Sequence, residues 1–277
     1  MTRKRSSRSP TSPFLARRLD LVLSPIVLVV SIVLWHVATS RFAIPMFILP
    51  PPLDVWNALV DGLSTSPFDR AGFTYHAAIT IWEAVLGFLL GSAVGILLGF
   101  VVASSRLIER LALPYIVGFQ SLPKVALAPL LVIWFGFGIE GKVMITSVIT
   151  FFPLLINSMA GYRSVDRDRI DLARSCNASS PQILWKIILP SAMPFIFAGL
   201  NIASVLAILG AIVGEFVGAQ SGLGMLLMQY NQSMQIAPVF ALLFILAVVG
   251  YAANAGIRSL EKRFCFWAQP SAPVAEG

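Results

Sequence analysis

Apolar residues in this chain come in long unbroken runs rather than in stripes of helical or alternating period. The runs cover residues 21–39, 76–104, 122–137, 142–162, 191–217 and 238–257. About 20 consecutive apolar residues cross the hydrocarbon core of a bilayer as a helix. The pattern therefore predicts an all-α membrane protein, a polytopic bundle of about six transmembrane helices. The third run is the least regular. "RLIERLALPYIVGFQSLPKVALAPLLVIWFGFG" can form one broken span starting near Leu111, or a surface helix over 106–120 followed by a span from Pro123. The second arrangement keeps Lys124 at the membrane edge and avoids burying a cation, which costs about 3 kcal/mol. Both give six spans.

One stretch between the fourth and fifth runs departs from this pattern: "DLARSCNASSPQILWKIILP", residues 171–190. Asp166, Asp168 and Asp171 crowd the first turns of a helix predicted to begin near Val165, where carboxylates complement the helix dipole. Asn177 is a suitable stop, because asparagine tolerates the left-handed conformation that ends helices. Ser179 with Gln182 reads as a capping box and Pro181 fits a first turn, so a second helix follows at once. Its apolar face carries Ile183, Leu184, Ile187 and Ile188, and Leu189–Pro190 is expected to break the chain before the fifth span.

Only 12% of the 277 residues are charged, and 57% are hydrophobic. An average soluble domain has about 25% charged residues, so a soluble fold of this size is excluded. The net charge of +7 raises the question of nucleic acid. The charges cluster at the ends of apolar runs, which is the membrane pattern, and no nucleic-acid partner is expected. Of the 20 lysines and arginines, only Arg41, Arg70 and Lys142 fall on one side of the predicted topology, leaving 17 on the other. By the positive-inside rule both termini are cytosolic, and so is the polar hairpin. The basic N-terminus ahead of the first run also resembles a signal peptide, with "ATS" at 38–40 as a cleavage-like site. The run is too long for that, so a retained signal anchor is expected. Cys176 and Cys265 are expected to be free thiols in a reducing compartment.

Glycines recur every four residues at Gly87, Gly91, Gly95 and Gly99, and again at Gly210, Gly214 and Gly218. This spacing makes one stripe on each helix, a seam where a neighbouring backbone can approach closely. Such a seam suits a static bundle or helices that rock. Glu83 and Glu215 lie near the outer ends of their spans. A carboxylate at mid-membrane costs about 2.5–3.5 kcal/mol, so the pair is expected at the interface or a cavity, reaching water, pairing with Lys142, or forming an outer gate. Trp134, Phe135, Phe151 and Phe152 serve as packing or could stack on a flat solute. No catalytic constellation is found. His36 and His76 have no partner at metal spacing, and "GIEGKV" lacks the spacing and hydroxyl of a phosphate loop. No metal, no bound cofactor and no enzymatic activity are expected. An ion-gradient transporter would want paired intramembrane acids and an inverted repeat, and a scaffold or an intramembrane enzyme remains the other rival.

The polar hairpin resembles the cytosolic signature of permeases of ATP-binding-cassette importers, an acidic residue followed by small ones, a glycine, and then I-x-L-P. Here Asp171-Leu172-Ala173 is followed by Asn177 and, after nine intervening residues, by Ile187-Ile188-Leu189-Pro190. Aspartate stands for the usual glutamate and Asn177 for the usual glycine. "ILPPPLDVWNAL", "GFLLGSAVGILLG", "SLPKVALAPLLVIWFGFG", "FFPLLINSMAGYRSVD", "GEFVGAQSGLG" and "LEKRFCFW" are similar to the nitrate/sulfonate/taurine-type branch. Glu83 stands where that branch often has a basic residue, and "GEFVGAQ" is closer to permeases for thiamine-precursor pyrimidines or flavins.

The resemblance implies a multi-pass protein of the bacterial inner membrane and a cytosolic coupling helix. Asp171, Leu172, Ala173, Asn177, Ala178, Ile187, Leu189 and Pro190 would form the contact with a separate ATPase, which would hold the ATP and magnesium. It also implies an external solute-binding protein and a second permease copy, a homodimer in the simplest case. The chain then divides into a basic cytosolic tail (1–20), a first membrane anchor (21–40), an external loop (41–75), a type I importer core (76–262) and a cytosolic C-terminal tail (263–277).

Overall fold

The computed structural model describes residues 13–42, 44–66 and 69–267. Of the expected tails, 1–12 and 268–277 lie outside the described residues. The helices are α1 (Pro13–Arg41), α2 (Pro52–Ser64), α3 (Phe73–Ser104), α4 (Arg106–Ser121), α5 (Ala128–Phe135), α6 (Ile139–Arg163), α7 (Arg167–Ser175), α8 (Ser180–Ile183), α9 (Leu189–Phe216), α10 (Leu223–Gln232) and α11 (Ile236–Phe264). A 3₁₀ turn, Lys124–Leu127, leads into α5, and a π turn, Leu184–Ile188, joins α8 to α9. No strand occurs among the described residues. The protein is an all-α membrane protein.

Among the described residues, four helices are long and apolar enough to cross a membrane: α3, α6, the continuous helix from Ser180 to Phe216, and α11. A bent pair, α4 with the Lys124–Phe135 segment, counts as a fifth. The apolar stretch Pro25–Arg41 of α1 is shorter, and residues 26–29 of it are half or more exposed. It touches the rest through Trp35, whose Nε1 donates to Pro50 O at 3.1 Å and whose ring lies 5.7 Å from that of Phe240.

The third span is not a straight helix over 122–137. α4 stops at Ser121, and the chain turns by 83° into the 3₁₀ turn and α5. Pro123 has no N–H to continue α4, and a residue before proline is driven to extended backbone. Leu122 accordingly sits at φ −67°, ψ 137°. Gly136, at φ +88°, ends α5 in a conformation that favours glycine.

Leu189–Pro190 does not break the chain, contrary to the sequence reading. The helix runs from Ser180 to Phe216 without interruption. The π turn accommodates the proline: Leu189 N–H donates to Leu184 O, five residues back. This wider register relieves the proline ring's clash with the preceding turn. The fifth span and the second helix of the hairpin are therefore one rod.

At the centre of the bundle, α6 packs between α3 and α9. Serines and threonines of α6 meet glycines on both sides. Thr146, fully buried, is where added side chains at Gly87 of α3 and at Gly210 of α9 would both collide. Ser147 Oγ also donates across the seam to Gly87 O at 3.1 Å. Gly218 is not part of the second stripe. It lies beyond the end of α9 at φ +126°, in the turn toward α10, where a Cβ would meet the Phe137 ring.

Candidate functional site

The hairpin of α7 and α8 is built by local chemistry. Asp166 caps α7, accepting from Asp168 N–H at 3.2 Å. Asn177 sits at φ +60°, and Ala178 N–H donates to Ala173 O at 3.0 Å while Asn177 N–H donates to Arg174 O at 2.8 Å. These two bonds form the paired closure that ends a helix on a left-handed residue. Gln182 Oε1 then accepts from Ser179 N–H at 2.8 Å, starting α8.

Behind the turn, Val165, Ile183 and Ile188 form a small buried core, with Ile170, Ala173, Ala178, Leu184 and Ile187 packed around it. Ala173 and Ala178 thus face inward and are half-buried, as are Leu189 and Pro190. The outer surface of the hairpin carries Leu172, 68% exposed, and Trp185, 67% exposed. Asp171 is also exposed and pairs loosely with Arg174 at 3.5 Å. The sequence reading placed Leu172, Ala173 and Ala178 together among the expected coupling residues and did not name Trp185. The signal for Trp185 was available: it lies two residues from both Ile183 and Ile187, off the apolar face.

The first glycine stripe forms the α3–α6 seam. A Cβ on Gly95 would lie 2.7 Å from Phe151 O and 2.9 Å from Leu154 Cβ, and one on Gly99 would lie 2.7 Å from Ser158 Cβ. A Cβ on Gly91 would reach Ser147 O at 2.5 Å and collide with Thr150 Oγ1. Gly214 similarly meets Lys142, with 3.1 Å to its Cα. Gly87, Gly91, Gly95, Gly99, Gly210 and Gly214 are therefore all at close helix contacts.

At the opposite end of the bundle from the hairpin, the two carboxylates are deeply buried, Glu83 at 3% and Glu215 at 1% exposure. Neither faces open water, as an interfacial or cavity position would require. Of the expected alternatives, pairing with Lys142 holds for Glu83, whose Oε2 has no hydrogen-bond partner among the described residues, and Glu215 is held by other protein donors. Lys142 Nζ pairs with Glu83 Oε1 at 2.6 Å. Glu215 Oε1 accepts from Thr80 Oγ1 at 2.6 Å, and Oε2 accepts from Gly224 N–H at 2.5 Å, in the first turn of α10. A carboxylate at a helix N-terminus is favourably placed against its dipole.

The same turn is tied to α3 twice more: Leu223 N–H donates to Thr80 Oγ1 at 2.8 Å, and Gly222 N–H to His76 Nδ1 at 2.9 Å. Because Nδ1 accepts, the ring proton lies on Nε2, which donates to Arg70 O at 2.8 Å. Gly222 adopts φ +118°, and a Cβ there would run into the Glu215 carboxylate. "GEFVGAQSGLG" is thus a turn folded over its own glutamate and latched to α3. His76 and Thr80 were not identified as part of this cluster from sequence. His76, 139 residues from Glu215 in the chain, had no local pattern to mark it.

The fold matches that of a chain in a solved amino acid ABC transporter structure, with a TM-score of 0.55 at 18% identity over 71% of this chain and 94% of that one. Residues 87–264 match the family of binding-protein-dependent transport system inner membrane components, and the chain belongs to that family. It is 35% identical to a probable ABC transporter permease protein of Haemophilus influenzae, over 88% of this chain and 97% of the relative. It is 34% identical to the formylaminopyrimidine transport permease protein of Halalkalibacterium halodurans, over 85% and 91%. It is also 33% identical to a putative aliphatic sulfonates transport permease protein of Bacillus subtilis, over 86% and 84%. The chain is the membrane permease subunit of an ABC importer, a multi-pass transport component of the inner membrane, and the ion-gradient reading is set aside.

Proposed function

We propose that two copies of this chain enclose one pathway, with residues 76–262 as the core, 21–40 as an anchor and 41–75 as an external loop. An external binding protein delivers a small solute, and a separate ATPase, which binds the ATP and magnesium, drives its passage inward. The cytosolic loop 163–190, which contains the hairpin 166–190, is the coupling element. The observation that carries this is the exposure of Leu172 and Trp185 on a knuckle that continues as one helix into the fifth span. A push on the knuckle is then transmitted along a rod without a hinge.

This reading places the hairpin and both termini in the cytosol, and Cys176 tests it. Cys176 is exposed, while Cys265 is buried. Burial, with Glu261 nearby, also holds the Cys265 thiol above its ordinary range, which lowers its reactivity. A membrane-impermeant maleimide is expected to modify Cys176 in inside-out vesicles and to leave right-side-out vesicles unlabelled. Labelling of right-side-out vesicles would reverse the topology.

The Glu215 latch is read as the outer gate's holding contact. In Glu215→Gln the amide keeps the shape but can present only one acceptor to Thr80 and Gly224. Leaving a buried donor without its partner costs about 1–3 kcal/mol. Insertion and ATPase association are expected to persist, while the melting temperature falls and solute-stimulated ATP turnover changes. Unaltered turnover with a lowered melting temperature would assign Glu215 a purely structural part.

A further inference from the structure

Helix α2 has three sides, where a helix lying on a soluble core needs only an apolar side and a polar one. Val55, Ala58 and Leu59 form the first and pack against the cluster of Phe73, Leu223, Leu226, Leu242 and Leu246. Gly62 belongs to it too, since a Cβ there would run into the Phe73 ring. The second side is polar, with Asp54, Asn57, Asp61 and Ser64, and α2 holds no lysine or arginine. The third is an apolar stripe. Leu53, Trp56, Val60 and Leu63 follow one another at spacings of three, four and three, which puts them on one side of the helix. All four are exposed, Trp56 by 61%.

The stripe lies between exposed apolar surfaces on both flanks. α2 packs on α11, a membrane-crossing helix whose Leu243, Phe244 and Val248 are exposed. On the other flank, the connection from α1 exposes Phe42, Met46, Phe47 and Ile48 just ahead of Pro52. So much contiguous apolar surface marks an interaction site, and here the surface is shared with helices that cross the bilayer.

We propose that α2 is an interfacial helix whose Leu53–Leu63 stripe is covered by lipid, in the leaflet on the side opposite the hairpin. The proposal rests on the reading of 41–75 as the external loop and moves its helix from water into the bilayer boundary. Helices of this kind bury their apolar face about 5–10 Å into the headgroup and acyl boundary. Tryptophan is enriched at that level, which suits Trp56, and the side with Asn57 and Asp61 is left to water. Without a cationic residue on α2, apolar burial alone holds it there, so neutral lipid suffices. Leu223 and Leu226 belong to α10, whose first turn closes over Glu215, so a lipid-held α2 braces that turn from outside.

The test uses the full-length chain with its co-purifying ATPase, reconstituted in phosphatidylcholine vesicles. Leu53→Cys, Trp56→Cys, Val60→Cys, Asn57→Cys and Asp61→Cys are made one at a time in a Cys176→Ser, Cys265→Ala background and given a nitroxide label. An unchanged size-exclusion profile shows that a variant is folded, and Leu63→Cys replaces any stripe variant that is not. Collisions of the label with oxygen, which concentrates in lipid, are compared with collisions with a water-soluble nickel chelate. The three stripe positions are expected to favour oxygen, and the Asn57 and Asp61 positions to favour nickel, so the preference inverts between two sides of one helix. Nickel preference at all five positions would put the stripe in water and overturn the proposal. Exclusion of both probes from the stripe would mean that a second copy covers it and would also overturn the proposal. An impermeant maleimide applied to Asp61→Cys reads the side of the membrane separately. Labelling of inside-out vesicles only would remove the external-loop reading, while an inverted preference would still support the lipid contact.

Discussion

Replacing Gly91 and Gly95 together with leucine is expected to abolish uptake and to prevent correct assembly of the bundle. Even a methyl group at either position meets backbone of α6: Ser147 O at 2.5 Å from Gly91, and Phe151 O at 2.7 Å from Gly95. Backbone cannot rotate away as a side chain can, so α3 and α6 must separate. Overpacking typically costs about 1–3 kcal/mol per site. Here separation also removes the bond from Ser147 Oγ to Gly87 O and opens the contacts of Thr146 with both stripes. Two such sites on one seam approach the whole stability of many folded proteins, about 5–15 kcal/mol. Size-exclusion profile and melting temperature in detergent report the assembly, and solute uptake reports the function. A double variant with normal profile, melting and uptake would show that the two helices do not meet along this stripe.

Substituting Leu172 with glutamate is expected to give the opposite combination: a normal bundle with no coupling. Leu172 is 68% exposed and contributes nothing to the small core beneath the hairpin. Insertion, abundance and melting should therefore match the wild type. If the knuckle docks, Leu172 is its anchor, and a charge placed there meets an apolar pocket without a partner. Removing an anchor of this kind commonly costs 2 kcal/mol or more, about thirtyfold in affinity. Ala173→Glu differs, because Ala173 packs against the cluster of Val165, Ile183 and Ile188. A carboxylate pressed against that cluster disturbs the hairpin from inside, so its loss of coupling should come with a lowered melting temperature. The pair of variants separates a docking contact from a folding contact.

Much of this arrangement was legible in the sequence where the cause is local. The span positions follow from uninterrupted apolar runs, and α3, α6 and α11 lie where those runs do. Asn177 announced its left-handed turn by residue type, and Ser179 with Gln182 announced the start of α8. The four-residue glycine period marked a seam on α3, because the period itself places those glycines on one stripe, and the structure supplies α6 as its partner.

What stayed hidden depends on other parts of the chain. Pro190 reads as a break, yet a π turn absorbs it. The inward direction of Ala173 depends on the core formed with Val165 and Ile183. Gly218 keeps the spacing of its stripe but falls past the end of α9, where the turn over Glu215 takes over. Thr80 and Glu215 are 135 residues apart, so periodicity alone could not bring them together, whereas pairing with Lys142 was among the expectations for the carboxylates and holds for Glu83. The bend in the third span was foreseen as a choice between two arrangements, and its angle was set by Pro123 and the packing of α5 against α6.

The central claim is that this permease is driven through the hairpin 166–190 by an ATPase on a separate chain. Affinity isolation of the tagged wild-type chain and the Leu172→Glu variant from the native membrane, side by side, tests it most directly. The wild type is predicted to retain an ATP-binding-cassette ATPase in roughly equal amount, and the variant, at equal membrane abundance, to lose it. Equal retention of the ATPase by both chains would contradict the assignment of the hairpin as the docking element.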